Sequence, residues 1–554
     1  MKKYNIITVC IIIVTIIISS FACLAEVMEE ELSLATGLIY EDVEAPSLFD
    51  LDSELKNQLD MLKQQNQKQR SGNESDGLAS VVDLSTSEYF PPIASQGDLG
   101  TCAAFAATYY QFTYMKNEFL EIESTYQNAA SPQATYNLVY NKSKGSGSTI
   151  LSNYKVLKHI GAPTLSQFPY LSKNQNWNRW VNDINVQREA LNVRLENYYC
   201  EELDTAQNPI TYSDDWDLMQ IKYLLGAGYP LVFGTCLDYE SEGSSFGEII
   251  FRGNYNVQAS HAMTVVGYND NVYFDVNGNN SIEDAERGAF KVANSHGTGY
   301  GNNGYIWVLY DAINVTSQIP GNWESEYTCE RNPFFSGSES DVNELTYIRV
   351  NNTKPLFVGE LTVTASKPDK FFASNSTNYT LLSNPNQANS SSFVRLYDGR
   401  GEQAFSGKLL FPFNDELFTS ETEIHSMICR LSVSDTTFNS AEMATSISYR
   451  ITDNLGNTIN SHGIVSLGST VNNYSKIIQK KFFIDAEPSA TEVSGGAIKL
   501  DRGDVNFDGV INSTDSSFIL SMAVNNVEYS YAQEFLADAN KDGIVNARDA
   551  LAIM

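Results

Sequence analysis

Basic residues are scarce in this chain. Lys and Arg total 36 against 67 Asp and Glu, a formal charge of −31. That balance argues against a nucleic-acid partner, which needs a basic face. It suits a soluble protein with calcium sites. Long apolar runs are lacking too. The run from Ile6 to Ile18 is short for a bilayer span of about 20 residues. Lys2 and Lys3 precede it and Cys23-Leu24-Ala25 follows as a small-x-small cleavage pattern, so residues 1–25 read as a signal peptide. Its removal takes two lysines and no acid, moving the charge from −31 to −33. No later segment is long and apolar enough to span a bilayer. Cysteine is sparse as well. Seven occur, two of them in the leader, which leaves Cys102, Cys200, Cys236, Cys329 and Cys429. In an exported protein an odd count leaves at least one thiol outside an internal disulfide.

The 554 residues suffice for about three or four domains. Residues 26–82 read as an acidic prosegment or arm. Within it, Asp50 is placed to cap a helix carrying Leu51, Leu55, Leu59 and Leu62 on one face. Residues 64–77 are a polar linker containing Arg70-Ser71, a processing site candidate. Residues 83–318 mix helices, over Thr101–Met115 and Ser213–Leu225, with strands over Pro230–Cys236, Phe290–Ala293 and Tyr305–Tyr310. Residues 319–487 show no helical period. Alternating runs such as Tyr347–Val350, Leu356–Thr364 and Ile424–Val433 predict an all-β sandwich-like domain. Residues 488–500, with Pro488, Gly495 and Gly496, read as a linker, and a repeat at an offset of 34 fills 501–554.

The repeat carries two loops. The first supplies Asp504, Asn506, Asp508, Val510, Asn512 and Asp515, and the second Asp538, Asn540, Asp542, Ile544, Asn546 and Asp549. These are positions 1, 3, 5, 7, 9 and 12 of a calcium loop, with a backbone carbonyl at position 7. Gly509 and Gly543 allow the turn at position 6, and Ile511 and Val545 at position 8 are expected to point into the core. Each loop is expected to be followed by a helix only. This segment resembles a dockerin. The resemblance implies two bound Ca2+ and a cohesin partner on a scaffolding protein, as in cellulosome-associated bacterial peptidases. Dockerin loop positions 10 and 11 bear on partner choice. Here they are Ser513-Thr514 and Ala547-Arg548, and the inequality predicts one preferred orientation.

A second signal is Gln96-Gly97-Asp98-Leu99-Gly100-Thr101-Cys102 ahead of a helical run. A helix N-terminus lowers a thiol pKa, and an upstream Gln can donate to an oxyanion. This segment resembles the papain-like cysteine peptidases. Ser260-His261-Ala262-Met263 is similar to their His segment and Ala293-Asn294-Ser295 to their Asn segment. The resemblance implies an α+β papain-like fold with a helical half and a β half. It implies Cys102 as nucleophile, His261 as base, Asn294 as orienter and Gln96 as oxyanion donor, acting on proteins or peptides. The chain departs from the family at Ala103 and His296, where Trp is usual, and at Leu99, where a disulfide Cys is usual. Cys200 and Cys236 remain candidates for a bridge.

Between the His and Asn segments lies an insertion that reads as another calcium loop. Asp275, Asn277, Asn279, Ser281, Glu283 and Glu286 occupy positions 1, 3, 5, 7, 9 and 12, with Asn280 replacing the Gly. Such a site would brace the strands bearing His261 and Asn294. The leading expectation is a secreted, scaffold-bound cysteine endopeptidase. The rivals are a non-catalytic or inhibitory module on a degenerate peptidase fold, and a structural surface protein.

Overall fold

The computed structural model describes residues 38–39, 45–53, 55–58, 60–61, 78–139, 147–171, 179–205, 208–210, 216–236, 239–253, 260–321, 334–335, 342–365, 371–381, 384–390, 394–398, 405–413, 424–435, 446–466, 474–484 and 498–554. The signal peptide reading, Leu59, Leu62, the linker at 64–77 and Cys329 lie outside the described residues.

Nine strands form the first sheet: β1 (Val81–Asp83), β2 (Arg194–Asp204), β3 (Leu231–Cys236), β4 (Tyr239–Ser244), β5 (Gly247–Gly253), β6 (Ser260–Tyr273), β7 (Arg287–Ala293), β8 (Tyr305–Leu309) and β9 (Val342–Asn351). Their order is β2-β9-β3-β6-β7-β8-β5-β4, with β1 added to β6. All pairs are antiparallel except β5 with β8.

Helix α1 runs as α over Cys102–Ala104, as π over Phe105–Phe112 and as α over Thr113–Leu120. Then follow α2 (Pro132–Val139), α3 (Ile150–Ile160), α4 (Ile184–Ala190) and α5 (Trp216–Gly226). The Thr149 hydroxyl caps α3, accepting from Ser152 N at 2.9 Å. Gly161 ends it at φ 64°, where a Cβ would meet Ala190 O at 2.1 Å.

The apolar run after His261 is explained by packing on both faces of β6. Ala262 and Val266 join the buried cluster of α1, while Met263 and Val265 join that of α5. Residues two apart share a face of a strand, so alternate positions serve two cores.

Four expectations need correction here. First, β9 lies between β2 and β3, so the first sheet takes a strand from beyond the boundary set at 318. Alternation in Tyr347–Val350 marks a strand but not its sheet. Second, the expected helix is present at 55–58 and starts from Asp52, which accepts from Leu55 N at 3.1 Å, not from Asp50; a separate helical turn, Leu48–Leu51, is capped by Ser47 and leaves Leu51 60% exposed. Third, Cys102, Cys200 and Cys429 are buried thiols outside any disulfide, so Cys200 is not in the candidate bridge. Fourth, the linker ends in a strand, Ile498–Leu500.

The β-rich region forms two more sheets. One has the order β14-β10-β16-β17, from β10 (Val358–Ala365), β14 (Phe405–Pro412), β16 (Ser446–Thr452) and β17 (Thr458–Ser466). The other runs β12-β11-β15-β18-β19, from β11 (Phe371–Leu381), β12 (Asn384–Ser390), β15 (Ile424–Asp435), β18 (Tyr474–Ile484) and β19 (Ile498–Leu500), with β13 (Val394–Asp398) on β11. Leu361 and Leu409 of one sheet and Cys429 of the other share a buried cluster.

Helix α4 docks the first sheet's unit onto the four-stranded sheet. Gln187 donates to Lys408 O at 2.7 Å and accepts from Leu410 N at 2.9 Å. The buried Glu360 carboxylate takes Arg188 at 3.1 Å, Lys408 at 3.0 Å and Arg450 at 2.6 Å. Burial pushes Glu360 up, but these cations outweigh it and hold the carboxyl below its usual range.

The C-terminal unit has α6 (Ser513–Ala523), α7 (Tyr531–Ala537) and α8 (Ala547–Ala552). Loop two therefore has an entering helix, α7, contrary to expectation. The Ser530 and Gln533 side chains close a capping box that starts it. Val505, Ile519, Met522, Leu536 and Ala550 are its buried apolar residues, in one cluster with Leu361 and Leu409 of the four-stranded sheet. Val545 packs against this core, as expected, while Ile511 is 40% exposed.

Candidate active site and calcium loops

Cys102 opens α1 and is fully buried. The first helical hydrogen bond runs from Phe105 N to Thr101 O at 2.9 Å. The thiol therefore sits at the positive end of the helix dipole.

His261 is the second residue of β6, and Asn294 directly follows β7. Pairing of Thr264 with Ala293 sets them side by side. His261 Nε2 lies 2.8 Å from Asn294 Oδ1, and the Ser295 N–H donates to the same oxygen at 2.7 Å. A peptide N–H can only donate, so the atom it meets is the amide oxygen. His261 Nε2 must then carry a proton. Nδ1 is the ring's other nitrogen, buried and without a hydrogen-bond partner. It is the atom that can take a proton. Burial pushes His261 down to about 3, with His296 adding to the shift and the Asn294 hydrogen bond opposing it.

Gln96 is also fully buried. Its Nε2 donates to Leu99 O at 3.0 Å, its Oε1 accepts from Ser295 Oγ at 2.5 Å, and its N–H donates to Ser295 O at 2.8 Å. Ser295 thus ties Gln96 to Asn294. The Tyr110 hydroxyl, from the π turn of α1, donates to Asn294 O at 2.8 Å. The Tyr170 hydroxyl donates to Gln96 O at 2.7 Å. Sequence reasoning missed these three supports. Adjacency to Asn294 was a signal for Ser295; Tyr110 and Tyr170 had none beyond being aromatic.

The N-terminal arm reaches this site. Leu38 N donates to Ser260 O, the carbonyl just before His261, at 3.3 Å, and Ile39 N donates to Ser148 O at 3.1 Å. Leu38 pairs in parallel with Ser148 and lies in the buried cluster that holds Cys102, Ala103 and Ala262.

The three loops share one backbone plan. Positive φ recurs at position 4, in Gly278, Phe507 and Lys541, and at position 6, in Asn280, Gly509 and Gly543. In each, the position 1 carboxylate accepts from the N–H groups of positions 5 and 6. The distances are 3.1 and 2.9 Å for Asp275, 3.2 and 2.9 Å for Asp504, and 3.0 and 3.1 Å for Asp538. The position 12 carboxylate accepts from position 9 at 3.0 Å for Glu286, 3.1 Å for Asp515 and 2.9 Å for Asp549. Among the described residues no three His, Cys, Asp or Glu side chains draw together as a metal cluster. The loops instead mix carboxylates with Asn and carbonyl oxygens, the donor set of a hard cation. Burial, and then Asp515 and Asp508, push the Asp504 carboxyl up while loop N–H groups oppose this. Buried like charges of this kind fit a cation between them.

Two family models match. Residues 78–320 match the papain family cysteine protease model and residues 502–554 the dockerin type I domain model. The chain carries a papain-family cysteine protease domain and a type I dockerin domain. By family it is a cysteine-type peptidase.

Solved structures similar to it include xylellain, a cysteine protease from Xylella fastidiosa, at 16% identity over 57% of this chain and 96% of that one, TM-score 0.33. Others are digestive procathepsin L2 from Tenebrio molitor larval midgut, at 16% over 51% and 71%, TM-score 0.31, and the clostridial cysteine protease Cwp84, at 13% over 71% and 97%, TM-score 0.33. No curated protein matches. The family assignment rests on the two family models.

In the peptidase domain, Ala103 and Leu99, which stand where the family has Trp and Cys, are both buried. His296 lies in the site. In the dockerin, of a calcium-binding type that implies a cohesin partner, Ser513, Thr514, Ala547 and Arg548 are all exposed. No helix among the described residues is long and apolar enough to cross a membrane.

Proposed function

We propose that this protein is a secreted endopeptidase that cuts peptide bonds with Cys102, His261, Asn294 and Gln96, and that its dockerin tethers it to a cohesin of a scaffoldin in a cellulosome-like complex. The observation that carries the catalytic reading is the His261–Asn294 pair, which leaves Nδ1 as the only basic nitrogen of a buried imidazole.

His261 Nδ1 takes the thiol proton, and Cys102 Sγ bonds to the scissile carbonyl carbon. The oxyanion accepts from the Cys102 N–H and from the second N–H of Gln96 Nε2. Collapse breaks the C–N bond, and Nδ1 returns its proton to the leaving amine. Water, deprotonated by the same nitrogen, then cleaves the thioester. Asn294 holds the ring in register, and Ser295 and Tyr110 hold Asn294.

Residues 26–82 act as a prosegment, with Leu38 and Ile39 laid between Ser260 and Ser148. An epoxide probe added to the full chain should label Cys102 at least about tenfold faster than Cys200. Cys200 is raised by burial and then by Glu344, Glu202 and Glu201. Leu38→Arg should speed Cys102 labelling further. Equal labelling of the two thiols would favour the non-catalytic module, and an unchanged rate in Leu38→Arg would remove the arm's covering role.

Calcium fills both dockerin loops and the 275–286 loop. The shared hydrogen-bond plan of the three supports this. Burial and the adjacent Glu283 hold the Glu286 carboxyl above its usual range, which a bound cation would reverse. The loop closes the far end of the β6–β7 hairpin from His261, so it would fix the hairpin's register rather than touch the site. Asp275→Ala in the full chain should hold one calcium fewer than wild type when bound metal is counted after dialysis. Equal counts would remove the site.

A further inference from the structure

His296 makes no side-chain hydrogen bond through Nε2, yet its ring lies flat on the base of the site. The His261 and His296 rings are 8° from parallel with centroids 4.8 Å apart. Tyr300 meets His296 at 5.4 Å and 62°. His296 Nε2 is shielded from solvent and has no hydrogen-bond partner among the described residues. Its backbone is fixed by a bridge to Ser95. A neutral aromatic face attracts a cation stacked over it. The same ring, once protonated, repels it.

We propose that His296 is a positioning residue for His261: when neutral it steadies the imidazolium partnered with the Cys102 thiolate, and when protonated it drives that charge out and shuts the peptidase on the acid side. The proposal rests on the Cys102–His261 reading above and adds to it the residue that sets the acid limit.

The surroundings leave His296 as the group that switches. From β6 it faces His261, and from its own loop it faces Tyr300. The Tyr300 hydroxyl is hydrogen-bonded to that of Tyr239 from β4, and Glu248 from β5 bears on both tyrosines. From the segment before α1 come the neutral Ser95 and Gln96, and Cys102 heads α1 itself. Burial pushes His296 down to about 4, with no carboxylate among the described residues offsetting it. A Trp at this position, usual in the family, would keep the cation–π contact at every pH. The histidine makes that contact conditional.

The test is the pH dependence of iodoacetamide alkylation of Cys102 in the calcium-loaded full chain, for wild type, His296→Trp and His296→Phe, with kcat/KM on a peptide substrate alongside. In wild type the acid limb near pH 4 should approach two-proton steepness. Both variants should show a one-proton limb at least about half a pH unit lower. If one variant fails to fold, the limb of the other decides. Superimposable limbs would overturn the proposal. A wild-type rate that simply rises with pH, as for an isolated thiol, would instead overturn the Cys102–His261 reading beneath it.

Discussion

Cys102→Ala is expected to lower kcat for peptide hydrolysis by about four orders of magnitude or more, with little change in melting temperature. Among the described residues no other thiol is a substitute nucleophile: Cys200 and Cys429 are buried and raised by burial. Loss of a nucleophile from a triad acting as a unit typically costs about 10⁴ to 10⁶ in kcat, leaving only what binding and the oxyanion hole supply. The fold should tolerate the change. Thr101, not the thiol, supplies the first carbonyl of α1, and the His261–Asn294 bond does not involve sulfur. Removing one buried sulfur leaves a small void costing about 1 kcal/mol. Turnover of an unfolded protein substrate, beside a thermal melt of the same preparation, separates the two effects. Undiminished turnover by the variant would remove Cys102 from the mechanism, whatever its fold.

Local pattern made much of this legible. The start of α1, and strands β3, β7 and β8, follow from runs of apolar residues ended by Gly and polar turns. The Gln96, Cys102, His261 and Asn294 segments stand out by residue type and order. What stayed hidden is non-local. Nothing in Val342–Asn351 says that it inserts between β2 and β3, because alternation specifies a face and not a partner. Leu38 looks like any apolar residue in an acidic arm, and only its bonds toward Ser260 and Ser148 give it a place. The identity of the basic nitrogen was equally invisible. It follows from one backbone N–H, that of Ser295, fixing which end of the Asn294 amide meets the histidine. The three calcium-type loops are the opposite case. The residues proposed to hold calcium lie within twelve positions of one another, so one short pattern carries both the spacing and the turn geometry.

Calcium removal should have the second large effect: chelation is expected to unfold the dockerin and cut its affinity for a type I cohesin by at least about 100-fold. The unit spans only residues 501–554, and chains this short rarely derive more than about 3–5 kcal/mol from a single apolar core. That core is built around Val505, Ile519, Met522, Leu536 and Ala550. Against it stand the carboxylates of Asp504, Asp515 and Asp549, all buried. The Asp504 carboxyl is raised above its usual value. Its contribution to the calcium-free fold is therefore present below the unfolded pKa and lost as pH rises through the folded one. At neutral pH the empty first loop thus holds an ionised Asp504 that opposes folding. Calcium at about 100 times its dissociation constant adds about 2.7 kcal/mol per loop, so two loops contribute as much as the whole core. Chelation should therefore erase the helical signal of α6 to α8 and cohesin binding together, and added calcium should restore both. In chelator, mild acidification should recover part of the helicity without calcium, the sign set by Asp504. Cohesin binding at full strength in chelator would show that the core alone holds the recognition face, and would separate the dockerin's fold from its metal.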